Sequence, residues 1–172
     1  MLSKEVVKHY VKRSINTIKY RDIQGKTSCF DGFNAKYPTI ELYYSVGDKQ
    51  FTNTIIYRSC DEEAFNSLNY DSWAALLTHV AMLLAPVFYK YDQFDVVACT
   101  FAKITPEMST FYEFAIKHML MEFRCLQGLD PNRPIKVVGN NAKRQFATQS
   151  KTLHDKSLIL NGGGKDSSLS GE

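Results

Sequence analysis

The sequence has no Cys-x-x-Cys pair, no H-E-x-x-H, no G-x-x-x-x-G-K-[ST] and no G-x-G-x-x-G. Those gaps exclude a zinc ribbon, a thioredoxin-type redox motif, a zincin helix, a Walker A loop and a dinucleotide fingerprint. Glycine (9) and proline (5) are too sparse in 172 residues for a collagen-like or low-complexity chain. No charge of one sign dominates: 21 basic against 18 acidic residues gives +3, too mild by itself to argue for nucleic acid. The opening MLSKEVVKHYVKRS lacks the apolar stretch of a signal peptide. The longest apolar run, Trp73–Tyr89, is interrupted by Thr78, His79 and Pro86. It falls short of the roughly 20 apolar residues a membrane span needs. It reads as a buried helix in a soluble, cytoplasmic protein.

What is present is enough for a core: 44% of residues are hydrophobic and 13% aromatic. One domain is the default at this length. Cys29, Cys60, Cys99 and Cys125 are scattered and mostly flanked by apolar residues, which reads as reduced thiols rather than a disulfide framework. Cys60 and Cys99 have no recognisable basic partner that would make them nucleophiles.

Periodicity organises the chain. Leu2, Val6, Tyr10, Val11, Ile15 and Ile18 recur at helical spacing over 2–20, with Lys4, Lys8 and Lys12 on another face. That basic segment reads as a solvated face or as a contact surface for RNA or a phosphate-rich ligand. Alternation at Ile40, Leu42 and Tyr44, the turn residues Gly47-Asp48-Lys49 and the run FTNTIIY predict a hairpin over 39–57. Asp61-Glu62-Glu63 suits a helix start. Asp71 or Ser72 is placed to cap a helix from Trp73 that bends or ends near Pro86. Phe94–Phe101 reads as a strand, and Thr105-Pro106-Glu107 opens a helix to about Leu126 with Gly128 beyond it. IKVV at 135–138 reads as another strand. Met108, Met119, Met121, Phe111, Phe114 and Phe123 are assigned to core packing. His118 and Glu122 are i,i+4, which suits a helix-surface bond better than half a metal site. His79 reads as a buried, bonded histidine.

The chemistry-bearing motif lies near the carboxyl end. Ser157-Leu158-Ile159-Leu160 reads as a short strand, and Asn161-Gly162-Gly163-Gly164-Lys165-Asp166-Ser167-Ser168 follows at once. Glycines allow close backbone approach, consecutive amides form an anion nest, and a helix start adds partial positive charge. The bland alternative is a Gly/Ser tail. Gly163-Gly164-Lys165-Asp166-Ser167 resembles the PP-loop of the N-type ATP pyrophosphatase superfamily, with Gly162 in place of the usual first Ser. The resemblance implies ATP and Mg²⁺ as cofactors, attack of a substrate oxygen on the α-phosphate, and release of pyrophosphate from an adenylated substrate. By position, Gly162, Gly163, Gly164, Lys165, Ser167 and Ser168 would bind phosphates. Asp166 would orient the loop or sit near the Mg²⁺–phosphate cluster.

The N-terminal region ahead of N-G-G-G-K-D-S, with THVAMLLAPVFYKY and ITPEMSTFYEFAIKHMLMEF, also resembles the UDP-N-acetylmuramoyl-L-alanyl-L-glutamate epimerase family. That family is understood to activate a glutamate carboxyl so that its α-centre inverts, which would make the small-molecule substrate a peptidoglycan nucleotide precursor. The expected architecture is an α+β accessory domain over 1–139, a linker over 140–156, and over 157–172 the start of a truncated, doubly wound α/β PP-loop domain. The chain would then be an N-terminal fragment. The competing reading is a non-catalytic binding module directed to tRNA. A PP-loop site without the rest of its sheet cannot hold adenine and substrate, so residues 1–172 alone are expected to show weak or absent turnover of ATP. Appearance of AMP in a chromatographic assay of the purified chain would overturn that expectation.

Overall fold

The computed structural model describes residues 25–57 and 61–140. The segment over 2–20, Cys60, the 157–160 strand and all the phosphate-loop residues from Gly162 to Ser168 lie outside the described residues. The described part is a small α+β domain built on one mixed sheet.

Its elements in order are β1 (Thr27–Lys36), β2 (Thr39–Val46), β3 (Lys49–Ile56), α1 (Glu62–Asn66), α2 (Tyr70–Leu84), a 3₁₀ turn (Ala85–Lys90), β4 (Val96–Cys99), α3 (Pro106–Leu126) and β5 (Lys136–Gly139). The sheet order is β3-β2-β1-β4-β5. The first three strands form an antiparallel meander, whereas β4 joins β1 in parallel and β5 joins β4 in parallel. The meander connects by short turns, since antiparallel neighbours need no crossover. Gly47 takes φ 61 in the β2–β3 turn, a conformation glycine adopts without the Cβ penalty. The parallel pair β4 and β5 needs a crossover, which α3 supplies.

β2 shows why the sheet has a wet and a dry face. Ile40, Leu42, Tyr44 and Val46 are buried, while the residues between them are half-buried. Cross-strand register places Phe30 beside Tyr44 and Phe33 beside Leu42. A bulge at Asp31 shifts the phase between Phe30 and Gly32. The extra residue lets both phenylalanines meet the same core. The helices close that face: Trp73, Ala74, Leu77, Ala81 and Met82 of α2 and Tyr112, Ile116 and Leu120 of α3 are buried in one cluster with the strands. Burial of each large apolar side chain contributes about 1.5–3 kcal/mol, so this shared cluster holds the layers together. By length and composition Tyr70–Lys90 would suffice to cross a membrane. Much of it is instead buried against the sheet.

Several helix ends follow the sequence signals. Thr105 Oγ1 accepts from the Met108 amide with Pro106 at the first helical position, and Asp61 caps α1. α2 differs: Asn69, rather than Asp71 or Ser72, is the cap, and its Oδ1 accepts from the Ser72 amide at 2.8 Å. That moves the helix start back to Tyr70. At Pro86 the α-helix gives way to the 3₁₀ turn, because proline cannot donate to the ladder. The aromatic and methionine assignment on α3 is corrected in part: Met108 and Phe123 do pack, partly buried, against the core. Phe111, Phe114 and Met119 are 54%, 64% and 53% exposed. The buried stripe runs 112-116-120-124 instead, one helical phase away. α3 carries apolar residues on more than one face, so spacing alone could not choose the inward one.

Gly139 fixes how closely β5 approaches the loop before α3. A Cβ there would lie 2.4 Å from the Ile104 backbone nitrogen. Gly128 has φ 67 but nothing within 4 Å of a would-be Cβ. Gly139→Ala is therefore expected to cost about 2–3 kcal/mol by overpacking and Gly128→Ala about 1–2 kcal/mol by backbone strain alone. Urea unfolding midpoints in the reverse order would contradict this packing.

Candidate functional site

Among the described residues a cleft of about 390 Å³ opens where the carboxyl end of β1 meets α1 and the start of α2. Its position follows from the two caps. Asp61 turns the chain into α1, Asn69 ends the connection and starts α2, and the two short starts bring Phe65 and Trp73 together with ring centroids 4.7 Å apart. On the opposite wall Phe33 and Tyr70 stack at 5.5 Å with planes 20° apart. Ala35 and Leu68 complete the apolar lining.

The polar groups of the cleft are three asparagines, Asn34, Asn66 and Asn69. The Asn34 amide donates to Glu41 Oε2 at 3.4 Å and keeps its carbonyl oxygen. Asn69 uses its oxygen for the cap, and its NH₂ group retains donor capacity. Among the described residues no acidic, basic or histidine side chain lines the cleft. The Tyr70 hydroxyl is held above the usual tyrosine value, first by partial burial and then by the neighbouring Asp71, so it stays neutral. Of the aromatic lining Tyr70 is the ring open to solvent, while Phe33, Phe65 and Trp73 are buried behind it.

The other groups singled out by sequence are dispersed. His79 is exposed, not buried, and its Nδ1 meets the hydroxyl of the fully buried Tyr112 at 2.5 Å. The ring sits at the edge of α2 and its partner inside, which satisfies the phenol. His118 Nδ1 bonds the Phe114 carbonyl at 2.7 Å, within its own helix. No cluster of His, Cys, Asp or Glu among the described residues could hold a metal ion. Cys29, Cys99 and Cys125 are free thiols. Burial, above all, pushes Cys29 and Cys99 up to about 12, which makes them inert as nucleophiles. Sequence reasoning missed the cleft. Its one local signal was Asn69 as a helix cap; the pairing of Phe33 with Tyr70 spans the chain from β1 to α2 and has no periodic trace.

A small mixed-sheet domain with helices closing one face and a neutral aromatic cleft at the end of its central strand is the class defined by these features. The family model for the MurL N-terminal domain matches residues 24–172, and the chain belongs to that family. No curated protein and no solved structure matches it significantly.

The thiols give a check on the burial described here. Between pH 9 and 12 the unfolded chain loses thiol protons that the folded chain keeps. Each such thiol should then lower stability by about 1.4 kcal/mol per pH unit as pH rises. At mildly alkaline pH a thiol reagent is expected to modify the exposed Cys125 and to spare Cys29 and Cys99 until denaturant is added. Rapid native-state labelling of Cys99, mapped by mass spectrometry, would contradict the packing.

Proposed function

We propose that this chain is the N-terminal portion of an epimerase that acts on a peptidoglycan nucleotide precursor, UDP-N-acetylmuramoyl-L-alanyl-L-glutamate, and inverts the glutamate α-carbon. The observation that carries the reading is the match to the MurL N-terminal domain over 24–172. It covers the whole described domain and runs through Gly162–Ser168.

The finer chemistry is an activation followed by inversion. ATP bound with Mg²⁺ would supply an adenylyl group to a glutamate carboxyl oxygen, with pyrophosphate leaving. The neighbouring α-hydrogen becomes more acidic in the activated acid. A base can then remove it from one face, and a proton returns to the other. The backbone amides of Gly163 and Gly164 and the hydroxyl of Ser167 are the groups proposed to hold the phosphates, by the nest and helix-start logic. The described domain would present the precursor to that chemistry. The tRNA-directed reading rested on the basic 4–26 stretch, nearly all of which lies outside the described residues, and no structural observation favours it.

Calorimetric titration of the purified chain with the precursor is the test. Saturable binding that persists at elevated salt and in the presence of tRNA is expected. Absence of precursor binding, together with a salt-sensitive tRNA gel shift, would replace this reading with the nucleic-acid module. In the intact enzyme, chiral analysis of glutamate from the product should show the D form only when ATP is supplied.

A further inference from the structure

We infer that the sheet face opposite the helices is covered, along β1, β4 and β5, by the amino-terminal segment over 2–20, which docks there through its apolar residues. The inference is independent of the proposed function. It starts from β4, whose four residues are all buried. Alternation sends Val97 and Cys99 to one face and Val96 and Ala98 to the other. Val97 and Cys99 belong to the cluster shared with α1, α2, the 3₁₀ turn and α3. Val96 and Ala98 do not, yet they are only 1% and 0% exposed. In register with Ala98 stands Cys29 of β1, also outside that cluster and 9% exposed. Every described helix contributes to the one cluster, so among the described residues no helix shields these three.

Burial on both sides is what parallel pairing asks of a strand, because parallel strands carry continuous apolar runs and need both faces covered. Toward the antiparallel half the same face is polar, with Glu41, Ser45, Gln50 and Thr52. The cover is therefore apolar and confined to the parallel half. Cys29 and Ala98 are small, and Gly32, buried and in register with Tyr43, extends the seat without a Cβ. A further layer can approach such a seat closely. The sequence after Asn140 scatters Phe146 and Leu153 among polar residues. The sequence over 2–20 instead repeats Leu2, Val6, Tyr10, Val11, Ile15 and Ile18 at helical spacing. The connection agrees with this choice. The Lys26 carbonyl accepts from the Asp95 and Val96 amides, so the chain reaches β1 at the end of β4 where Val96 sits. Residues 21–24 span at most about 13 Å. That is enough to cross the roughly 10 Å between packed layers, and too short to pass around the sheet and over the outer side of α3. The exposed Phe111, Phe114 and Met119 are thereby excluded as the seat. Lys8 and Lys12, on the other side of the same spacing, remain in water.

The two faces of the sheet carry their own reporters. Cys29 lies under the inferred cover, and Cys99 lies on the helix side of the neighbouring strand. In the full chain both thiols should resist a thiol reagent, with labelled sites mapped by mass spectrometry. Val11→Asp and Ile18→Asp are introduced together, two turns apart on one stripe. Cys29 labelling should then accelerate at least about tenfold while Cys99 stays protected, because the burial of one Val-sized side chain already outweighs a tenfold shift in an opening equilibrium. Lys12→Glu should leave both thiols protected. Unchanged protection of Cys29 in the doubly substituted chain overturns the inference. An equal response to Lys12→Glu also overturns it, since charge rather than apolar docking would then control the face. Where Cys99 becomes reactive together with Cys29, the substitutions have unfolded the domain, and methyl cross-relaxation in the unsubstituted full chain decides. There the methyl groups of Val96 and Ala98 should show contacts to the apolar residues over 2–20. Contacts to residues after Asn140 instead, or none to 2–20, overturn the inference.

Discussion

The parallel pairing of β1 with β4 is the constraint on which the rest of this domain depends. Thr27–Phe30 lies in register with Val96–Cys99, and these strands are separated by the meander, two helices and the 3₁₀ turn. Without that pairing the chain would hold an antiparallel ribbon and a separate β4-α3-β5 unit, neither with enough apolar area to stand alone. Closing so long a loop is entropically unfavourable, and the junction is reinforced accordingly. The amides of Asp95 and Val96 both donate to the Lys26 carbonyl, and Thr100 donates through both its amide and its hydroxyl to the Phe30 carbonyl. Ion pairs Lys26–Asp92 and Arg133–Asp95 flank the same end. Both are partly exposed, so they add orientation more than stability.

The far side of the sheet is held by a different device. Arg124 is fully buried at the end of α3: Nη1 donates to the Arg133 carbonyl at 2.6 Å, Nε donates to the Tyr89 hydroxyl at 3.3 Å, and the guanidinium lies 5.0 Å from the Tyr89 ring centroid. A buried guanidinium is expensive unless bonded. Here it ties the turn after α3 to the 3₁₀ segment after α2, so one side chain links the last crossover to the first helical layer. The last turn of a helix is also where its dipole favours a cation. Glu113 acts similarly one layer away, accepting from the Val137 amide of the edge strand at 2.9 Å and from Ser109 at 3.2 Å. Among the described strands β5 is the edge, and the carboxylate occupies one of its outward amides.

How much of this was legible follows from which signals are local. The β2–β3 hairpin showed because strict alternation flanks Gly47. The α3 start showed because Thr105 and Pro106 are a cap and a first-turn residue in sequence. β4 showed as a compact apolar run. β1 did not: the bulge at Asp31 breaks the alternation that would have announced it, and its partner β4 is remote. The inward face of α3 was misread because Phe111, Phe114 and Met119 compete with Tyr112, Ile116 and Leu120 for the same pattern. Arg124 was invisible because a lone arginine near a helix end is ordinarily solvated. The phosphate-loop residues are a motif in sequence only and lie outside the described residues. The cleft, conversely, has no motif at all.

The position of the cleft follows from the uneven lengths of the strands. β1 and β4 pair only as far as Phe30 and Cys99, yet β1 runs on to Lys36 beside β2. Past the end of β4 the helix-facing side of β1 has no parallel neighbour, and Phe33 and Ala35 are met there by α1 and the first turn of α2. Phe101, just after β4, packs edge-on against both Phe30 and Phe33 and walls off the core behind them. The opening thus lies at the carboxyl ends of the parallel strands, where open sheets with parallel strands generally receive ligands. β5 ends at that same side of the sheet, and Asn140 is pinned there by its side-chain bond to the Thr100 carbonyl at 3.2 Å and its amide bond to the Ala102 carbonyl. The described chain therefore ends, at Asn140, on the side of the sheet that carries the cleft.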